Sequence, residues 1–341
     1  MPIVDMNDQA ELQRYKDFLA TSPNRKLTQT VEWGRVKSNW EPCYVYVTDE
    51  AGQIEGAMSI LMIANKQAGG KKLAYCSKGP VCDVHNVALV KRLYDEASDY
   101  LQQQGAFVLR ADPEVEYTDE YDHALREAGF TVRNKDVVGH GTIMPRLNMV
   151  LDLNGVTPDN VDELMMKFRK NTRYNIRLAK RKGVTVDYGK SQEYLDAFYE
   201  THKAMAERQH ITYRPKEYFE RVLDELGDHV RIYLARHEDD ILAGAITANY
   251  GDRVWHMYGG STNVKRNLMP NYLMQWNMIN WAVETGKPYY DFGGIFEADP
   301  KDGLYVYKAG FTGGVTEYIG EIDRVFDEDA YRKYNEHMES L

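Results

Sequence analysis

Apolar and aromatic residues crowd both sides of Asp49-Glu50-Ala51-Gly52 in EPCYVYVTDEAGQIEGAMSILMI, so the segment predicts two strands joined by a turn. The strand candidate KLAYCSKGPV follows. VALVKRLYDEASDYLQQQ then changes to helical spacing, with Gly105 as its stop, and AFVLRADPEV returns to a strand pattern. Far downstream the series recurs: VRIYLARHEDDILAGAITANY as strand, Glu-Asp-Asp turn and strand, then RVWHMYGGS, the helix NYLMQWNMINWAVET, the stop Gly286 and the strand KPYYDFGGI. Matching elements lie about 180 residues apart, which predicts two copies of one α/β unit rather than a short-period solenoid. Each copy is expected to hold a mixed sheet covered by helices, and a duplicated fold leaves a cleft between its copies. The expected boundary lies near PRLNMVLDLNGVTPDN, where a Pro-started strand gives way to a polar linker.

One further helical segment changes the picture of charge. From Glu163 onward, Leu164, Phe168, Thr172, Ile176 and Ala179 recur at three- or four-residue spacing, while Arg169, Arg173, Arg177 and Arg181 form a separate stripe, and Gly183 is placed to cap the end. Eight Lys and Arg fall between residues 167 and 182 with no Asp or Glu among them, in a chain whose formal net charge is -10. Two readings are open. The face is either a solvated stripe paired with the acidic surface elsewhere, or a phosphate-binding face on which planar guanidinium groups meet an RNA backbone.

At 341 residues the chain exceeds the size at which one core stops growing, so two domains are expected. Cys43, Cys76 and Cys82 are an odd set without Cys-x-x-Cys spacing, which reads as reduced thiols in a cytoplasmic protein. Cys76, Cys82 and His85 supply too few ligands for a metal site, and none is expected. MPIVDMNDQAELQRY lacks the basic start and apolar run of a signal peptide, and no stretch is long and apolar enough to cross a bilayer, so no stable membrane insertion is expected. There is no Gly-x-Ser-x-Gly elbow, His-Glu-x-x-His helix or Walker lysine loop.

At NTRYNIRLAKRKGV the sequence resembles the Fem family (FemABX type) of aminoacyl-tRNA-dependent peptidoglycan cross-bridge transferases. TQTVEWGRVKSNW, LRADPEV, PRLNMVLDL, AERQHITYRPKEYF, YYDFGGI, LYVYKAGF and YIGEIDRVF agree in order, so the resemblance spans nearly the whole chain. The compact type is the nearer match, because no helical-hairpin insertion interrupts the second half. The resemblance implies an α/β fold of two tandem GNAT-like acyltransferase domains with an interdomain cleft. Residues 1–148 plus 320–341 form the first, binding the nucleotide-peptide, and residues 149–319 the second, carrying the catalytic lysine and the tRNA-facing helix. It further implies transfer of an amino acid, alanine before serine or glycine, from aminoacyl-tRNA to the side-chain amine of the third stem-peptide residue of UDP-MurNAc-pentapeptide or its lipid-linked form. No cofactor is implied, and a monomer is the default.

Attack of an amine on an activated ester needs alignment, plus a positive group where the oxyanion develops. By resemblance Lys308 is that group, with Tyr307 beside it. Asp302 is placed to cap a short helix that Gly310 ends, which would set Lys308 near a helix C-terminus. The acceptor amine has an ordinary pKa of about 10.4, so near pH 7.5 only about one in a thousand is neutral, equivalent to about 4 kcal/mol. Asp112 resembles an acid near the acceptor and is the candidate to take or orient that proton. Lys37 and Arg214 match positions that bind the UDP diphosphate, and Trp40, Thr212, Tyr218 and Tyr258 match further contacts to this substrate. Gln29, Trp33 and Lys37 are expected on one helix face, presenting Lys37 beside an aromatic wall. Arg169, Arg173, Arg177, Lys180 and Arg181 are the candidate tRNA contacts. The rivals are an acetyl-CoA-dependent N-acetyltransferase and a non-catalytic RNA-binding or immunity-type relative. Against the first, VKRNLMPNYLM has Pro270 and no glycine where a CoA diphosphate loop would open a helix.

Overall fold

The computed structural model describes residues 3–137 and 141–341. Two compact units divide the chain: Met1–Leu147 with Thr316–Leu341, and Asn148–Val315. The first begins with α1 (Gln9–Thr21), whose orphan N–H groups are capped by the Asp8 carboxylate, and α2 (Val31–Val36), capped by the Thr30 hydroxyl. The hairpin β1 (Glu41–Thr48) and β2 (Ile54–Ala64) leads to β3 (Lys72–Cys76), α3 (Val87–Gln103), β4 (Ala106–Ala111), α4 (Asp119–Glu127) and β5 (Thr131–Arg133). β3 and β4 are parallel, with α3 as the crossover between them. Leu89, Val90, Leu93, Tyr94, Ala97 and Leu101 of α3 are buried at the spacing the sequence predicts, in one core cluster with Met58, Ile60 and Leu109 of the sheet.

The second unit contains β6 (Leu147–Asp152), α5 (Val161–Lys167), α6 (Lys170–Arg181), β7 (Thr185–Gly189), α7 (Gln192–Gln209) and α8 (Lys216–Leu226). It continues through β8 (Val230–His237), β9 (Asp240–Tyr250), β10 (Arg253–Ser261), α9 (Pro270–Glu284), β11 (Tyr289–Ile295) and α10 (Gly303–Thr312). Its strands lie in the order β6-β11-β10-β9-β8-β7. β8 and β9 form the second hairpin, and β10 and β11 are parallel with α9 as their crossover, so the hairpin-strand-helix-strand series is built twice.

After β12 (Thr316–Glu317), the strand β13 (Glu321–Val325) returns to the first sheet, whose order is β1-β2-β3-β4-β13-β5, and α11 (Glu328–Glu339) follows. A buried charge network fixes this return. Arg110 of β4 donates from Nε to Asp323 Oδ1 at 2.8 Å and from NH2 to Asp323 Oδ2 at 2.6 Å. It also reaches Glu321 at 3.0 Å and Asn335 of α11 at 3.1 Å.

Three local expectations are corrected. The helix read from Glu163 onward is broken: α5 stops at Lys167, Phe168 is extended at ψ 156, and Arg169 is the N-cap of α6 rather than an interior residue. The break has a tertiary cause, because the Arg169 N–H donates to Gly310 O of α10 at 2.9 Å. Gln29 is not on the helix of Trp33 and Lys37. It ends a 3-10 turn, is fully buried, and exchanges hydrogen bonds with the Ser59 backbone. Gly310 does not end α10, which runs to Thr312 and closes on Gly313 at φ 75. What Gly310 supplies is room, since a Cβ there would collide with Thr172 Oγ1 of α6.

Candidate active site

Lys308 sits in the middle of α10, a helix whose start is fixed by the Asp302 carboxylate accepting the Leu304 and Tyr305 N–H groups. The sequence placed it near a helix C-terminus, and the extension to Thr312 removes that arrangement. Aromatic packing holds α10 in place: Phe311 lies 5.2 Å from both Phe168 and Phe292, and Tyr307 lies 4.9 Å from Tyr272 of α9, measured between ring centroids. Lys308 is 9% exposed. Its Nζ donates to Gly294 O at 2.9 Å and Gly293 O at 3.3 Å, carbonyls at the end of β11. Among the described residues it makes no ion pair with a carboxylate. Burial draws its pKa down to about 8, against the Asp291 and Asp302 carboxylates, which hold it up.

Around Lys308 lies a polar network that the sequence reading missed. His256 of β10 meets Gln275 Oε1 of α9 through Nδ1 at 3.2 Å, and Gln275 Nε2 donates to Tyr290 OH at 2.5 Å. The Tyr307 hydroxyl donates toward Asn271 O at 3.1 Å and Gln275 Oε1 at 3.3 Å, so it is committed to the scaffold. Burial, then the Lys308 charge, pull the His256 pKa down to about 4, which keeps the imidazole neutral. With Gln275 Oε1 as acceptor, Nδ1 is assigned the proton. The missed signal was Gln275 in the apolar helix NYLMQWNMINW and Asp291 in the strand YYDFGGI: a polar residue inside a buried run must find partners.

β10 also carries Tyr258. His256 pairs with Thr247 and Tyr258 with Ile246, leaving Met257 as the extra residue of a β-bulge that re-aims the strand's side chains. Tyr258 OH is 2.7 Å from Tyr218 OH of α8, and the Arg214 guanidinium lies 4.5 Å over the Tyr218 ring. The structure therefore groups Arg214, Tyr218 and Tyr258, while Thr212 is exposed in the segment leading into α8. Before α9 comes a single 3-10 turn (Arg266–Leu268) and then Pro270 at the first helical position.

In the first unit, Asp112 follows the last residue of β4. Asp112 Oδ2 accepts from Tyr75 OH and Oδ1 from the Lys78 N–H, both at 2.7 Å. It thus ties two segments together rather than capping a local turn, and burial pushes its carboxyl up to about 7. Lys37 is the C-cap of α2, with Nζ 4.8 Å from the Trp33 ring centroid. Trp40 is partly buried against the cluster containing Leu73 and Phe107, and its N–H donates to Lys37 O at 2.8 Å.

On α6 the buried face is Thr172, Asn175, Ile176 and Ala179, and Gly183 at φ 85 terminates the helix as expected. Arg169, Arg177, Lys180 and Arg181 are exposed; Arg173 turns back to the Met166 and Phe168 carbonyls that the helix break leaves open. Among the described residues no cation between positions 167 and 182 pairs with an Asp or Glu, so the stripe is not neutralised by the acidic surface.

Comparison with known proteins places the chain. The profile of the FemAB family matches residues 11–240 and 236–337. The chain is 43% identical over 336 residues to the UDP-N-acetylmuramoylpentapeptide-lysine N(6)-alanyltransferase of Weissella viridescens, covering 97% of this chain and 98% of that relative. It is 26% identical, over a 397-residue alignment, to the lipid II:glycine glycyltransferase of Staphylococcus aureus strain MRSA252, covering 94% and 93%. Among solved structures it superposes on FemX with a TM-score of 0.83 at 23% identity, over 98% of this chain and 100% of that one. A tandem GNAT protein from the clavulanic acid biosynthesis pathway shares the fold at a TM-score of 0.55 and 12% identity, over 95% and 98%. With nearly its whole length matched in this way, the chain belongs to the FemAB family.

Proposed function

We propose that this FemAB-family enzyme transfers an amino acid, alanine foremost, from aminoacyl-tRNA to the side-chain amine of the lysine in UDP-MurNAc-pentapeptide. The acceptor chemistry follows the Weissella viridescens relative, which is named for that reaction. The observation that carries the reading is Lys308: a buried ammonium held by the Gly293 and Gly294 carbonyls and, among the described residues, not neutralised by an ion pair. The acceptor nitrogen attacks the ester carbonyl carbon, forming the C–N bond and turning the carbonyl oxygen into an oxyanion. Collapse breaks the C–O bond to ribose, whose oxygen leaves with a proton. An oxyanion gains most from a positive group fixed in a dry site before the charge develops, and Lys308 is such a group. The acceptor amine must first lose a proton. Asp112, with its carboxyl pushed up to about 7, has the basicity to take one near neutral pH.

Lys37 and Arg214 are assigned to the UDP diphosphate, with Trp40, Thr212, Tyr218 and Tyr258 as further acceptor contacts. The exposed cations of α6 are assigned to the tRNA backbone. The test combines purified protein, UDP-MurNAc-pentapeptide and tRNA charged separately with alanine, serine or glycine, and looks by mass spectrometry for addition of one residue. Lys308→Ala is expected to lower kcat by about 10²–10³-fold while sparing nucleotide binding. Lys37→Ala and Arg214→Ala are expected to weaken acceptor binding instead. Absence of product with every charged tRNA overturns the reading.

A further inference from the structure

What presents Lys308 is a turn, and one buried side chain builds that turn. β11 runs through Asp291 and Phe292 to Gly293, whose φ of 78 lies in the left-handed region that glycine enters without cost. The Asp291 side chain is fully buried. Its Oδ1 accepts the Gly293 N–H at 2.7 Å, two residues along, in the manner of an Asx turn. Its Oδ2 faces Arg253 of β10 at 3.3 Å. Taking a carboxylate out of water is costly unless it is paired and hydrogen-bonded, and both conditions are met here. The carbonyls of Gly293 and of the next residue, Gly294, are the two that hold Lys308 Nζ.

We propose that Asp291 is a positioning residue for the transfer: clamped by Arg253, it folds the Gly293-Gly294 turn whose carbonyls aim the Lys308 ammonium at the reacting ester. Its charge acts alongside its hydrogen bond. Asp291 is the strongest counterweight to the burial that draws Lys308 down, ahead of Asp302 at the start of α10. From β10, His256 interacts with Lys308 as a neutral imidazole and Arg253 offsets part of the Asp291 charge.

Because this inference rests on Lys308 acting in the transfer, its first readout avoids the transfer. The rate at which acetic anhydride labels Lys308, followed by mass spectrometry of its peptide across pH, reports the midpoint of that amine in the full-length protein. Asp291→Asn keeps an oxygen for the Gly293 N–H and removes the charge. It is expected to lower the labelling midpoint by about one pH unit and kcat at pH 8 by about fivefold, with KM for UDP-MurNAc-pentapeptide within about threefold. Gly293→Ala keeps the charge and strains the turn. A Cβ there lies 3.9 Å from Lys308 Nζ, so it does not block the amine. Its expected signature differs in the midpoint alone: a lowered kcat with the labelling midpoint within about 0.3 units of wild type. If Asp291→Asn leaves the midpoint in place, or Gly293→Ala turns over like wild type, Asp291 does not position Lys308. Full turnover by Lys308→Ala fails differently: it removes the catalytic reading and leaves the labelling result to stand by itself.

Discussion

Arg110 and Lys308 are both buried cations, one in each unit, and their surroundings differ in kind. Arg110 is charge-paired: a bidentate pair with Asp323, a contact with Glu321 and a bond to Asn335, although its NH1 makes no hydrogen bond. Burial opposes its charge, but Asp323 and Glu321 outweigh it and hold the guanidinium above the ordinary arginine range. Among the described residues Lys308 has two carbonyls and no carboxylate ion-pair partner, and burial wins, pulling it down to about 8. A cation already paired with carboxylates has little field left to offer a ligand and serves to join β4, β13 and α11. An unpaired one retains the field that an oxyanion can use.

Breaking the charge-paired network is expected to give the largest effect. Arg110→Met leaves Asp323 buried without its cation and Glu321 with Arg133 alone, which costs about 3–5 kcal/mol. The loss should appear as a lower urea midpoint, with accelerated hydrogen exchange in β13 and α11, where the arginine's partners sit. Arg110→Lys should recover only part of it, because one ammonium cannot reproduce the two-pronged grip on Asp323. A midpoint shift worth less than about 1 kcal/mol would mean that apolar packing, not the charge network, holds the C-terminal return.

This contrast also marks what the sequence could disclose. The α/β class was legible because the series of hairpin, strand, helix and strand recurs, and each element's periodicity is local information. The apolar stripe Leu164, Phe168, Thr172, Ile176 and Ala179 was equally legible, and all five are buried. It ran across a break at Phe168 because burial period and backbone continuity are separate properties; the bond from Arg169 to Gly310 that fixes the break joins residues far apart in sequence. Gly310 was read as a stop for the same reason. Its use, a close approach to Thr172, exists only once α6 and α10 have packed. The family resemblance supplied Lys308, but Asp291, which holds its charge up, and His256 and Gln275 of the neighbouring network had only the weak mark of polarity inside apolar runs.

The pH response of Lys308 sharpens the comparison next. If the ammonium is the working form, kcat falls about tenfold per unit once pH rises well past about 8. Stability should move the other way. The folded state binds fewer protons at Lys308 than the unfolded chain between about 8 and the ordinary lysine value near 10.4, so this group's contribution to stability rises with pH across that window. The difference in unfolding free energy between wild type and Lys308→Met isolates it from the tyrosines and thiols that titrate nearby. Turnover that climbs through pH 8 instead would make the neutral amine the working form and Lys308 a base.

The smallest effect concerns cations that are neither buried nor paired with a carboxylate among the described residues. Arg177 and Arg181 of α6 are exposed, and no ion pair to a carboxylate is formed by either among the described residues. Binding a polyanion releases its condensed counterions, so each phosphate contact steepens the dependence of affinity on salt by about 0.7–0.9 in log–log slope. Arg177→Ala and Arg181→Ala should each remove about that much slope for aminoacyl-tRNA, measured by filter binding between low and physiological salt, while kcat at saturating tRNA stays unchanged. Lys333 of α11 is the control: it is also exposed but already pairs with Asp329 at 2.5 Å. Lys333→Ala should leave the slope alone. Equal slopes for all three variants would mean that exposure without an internal partner does not by itself make a cation available to RNA, and the tRNA would have to meet another face of the enzyme.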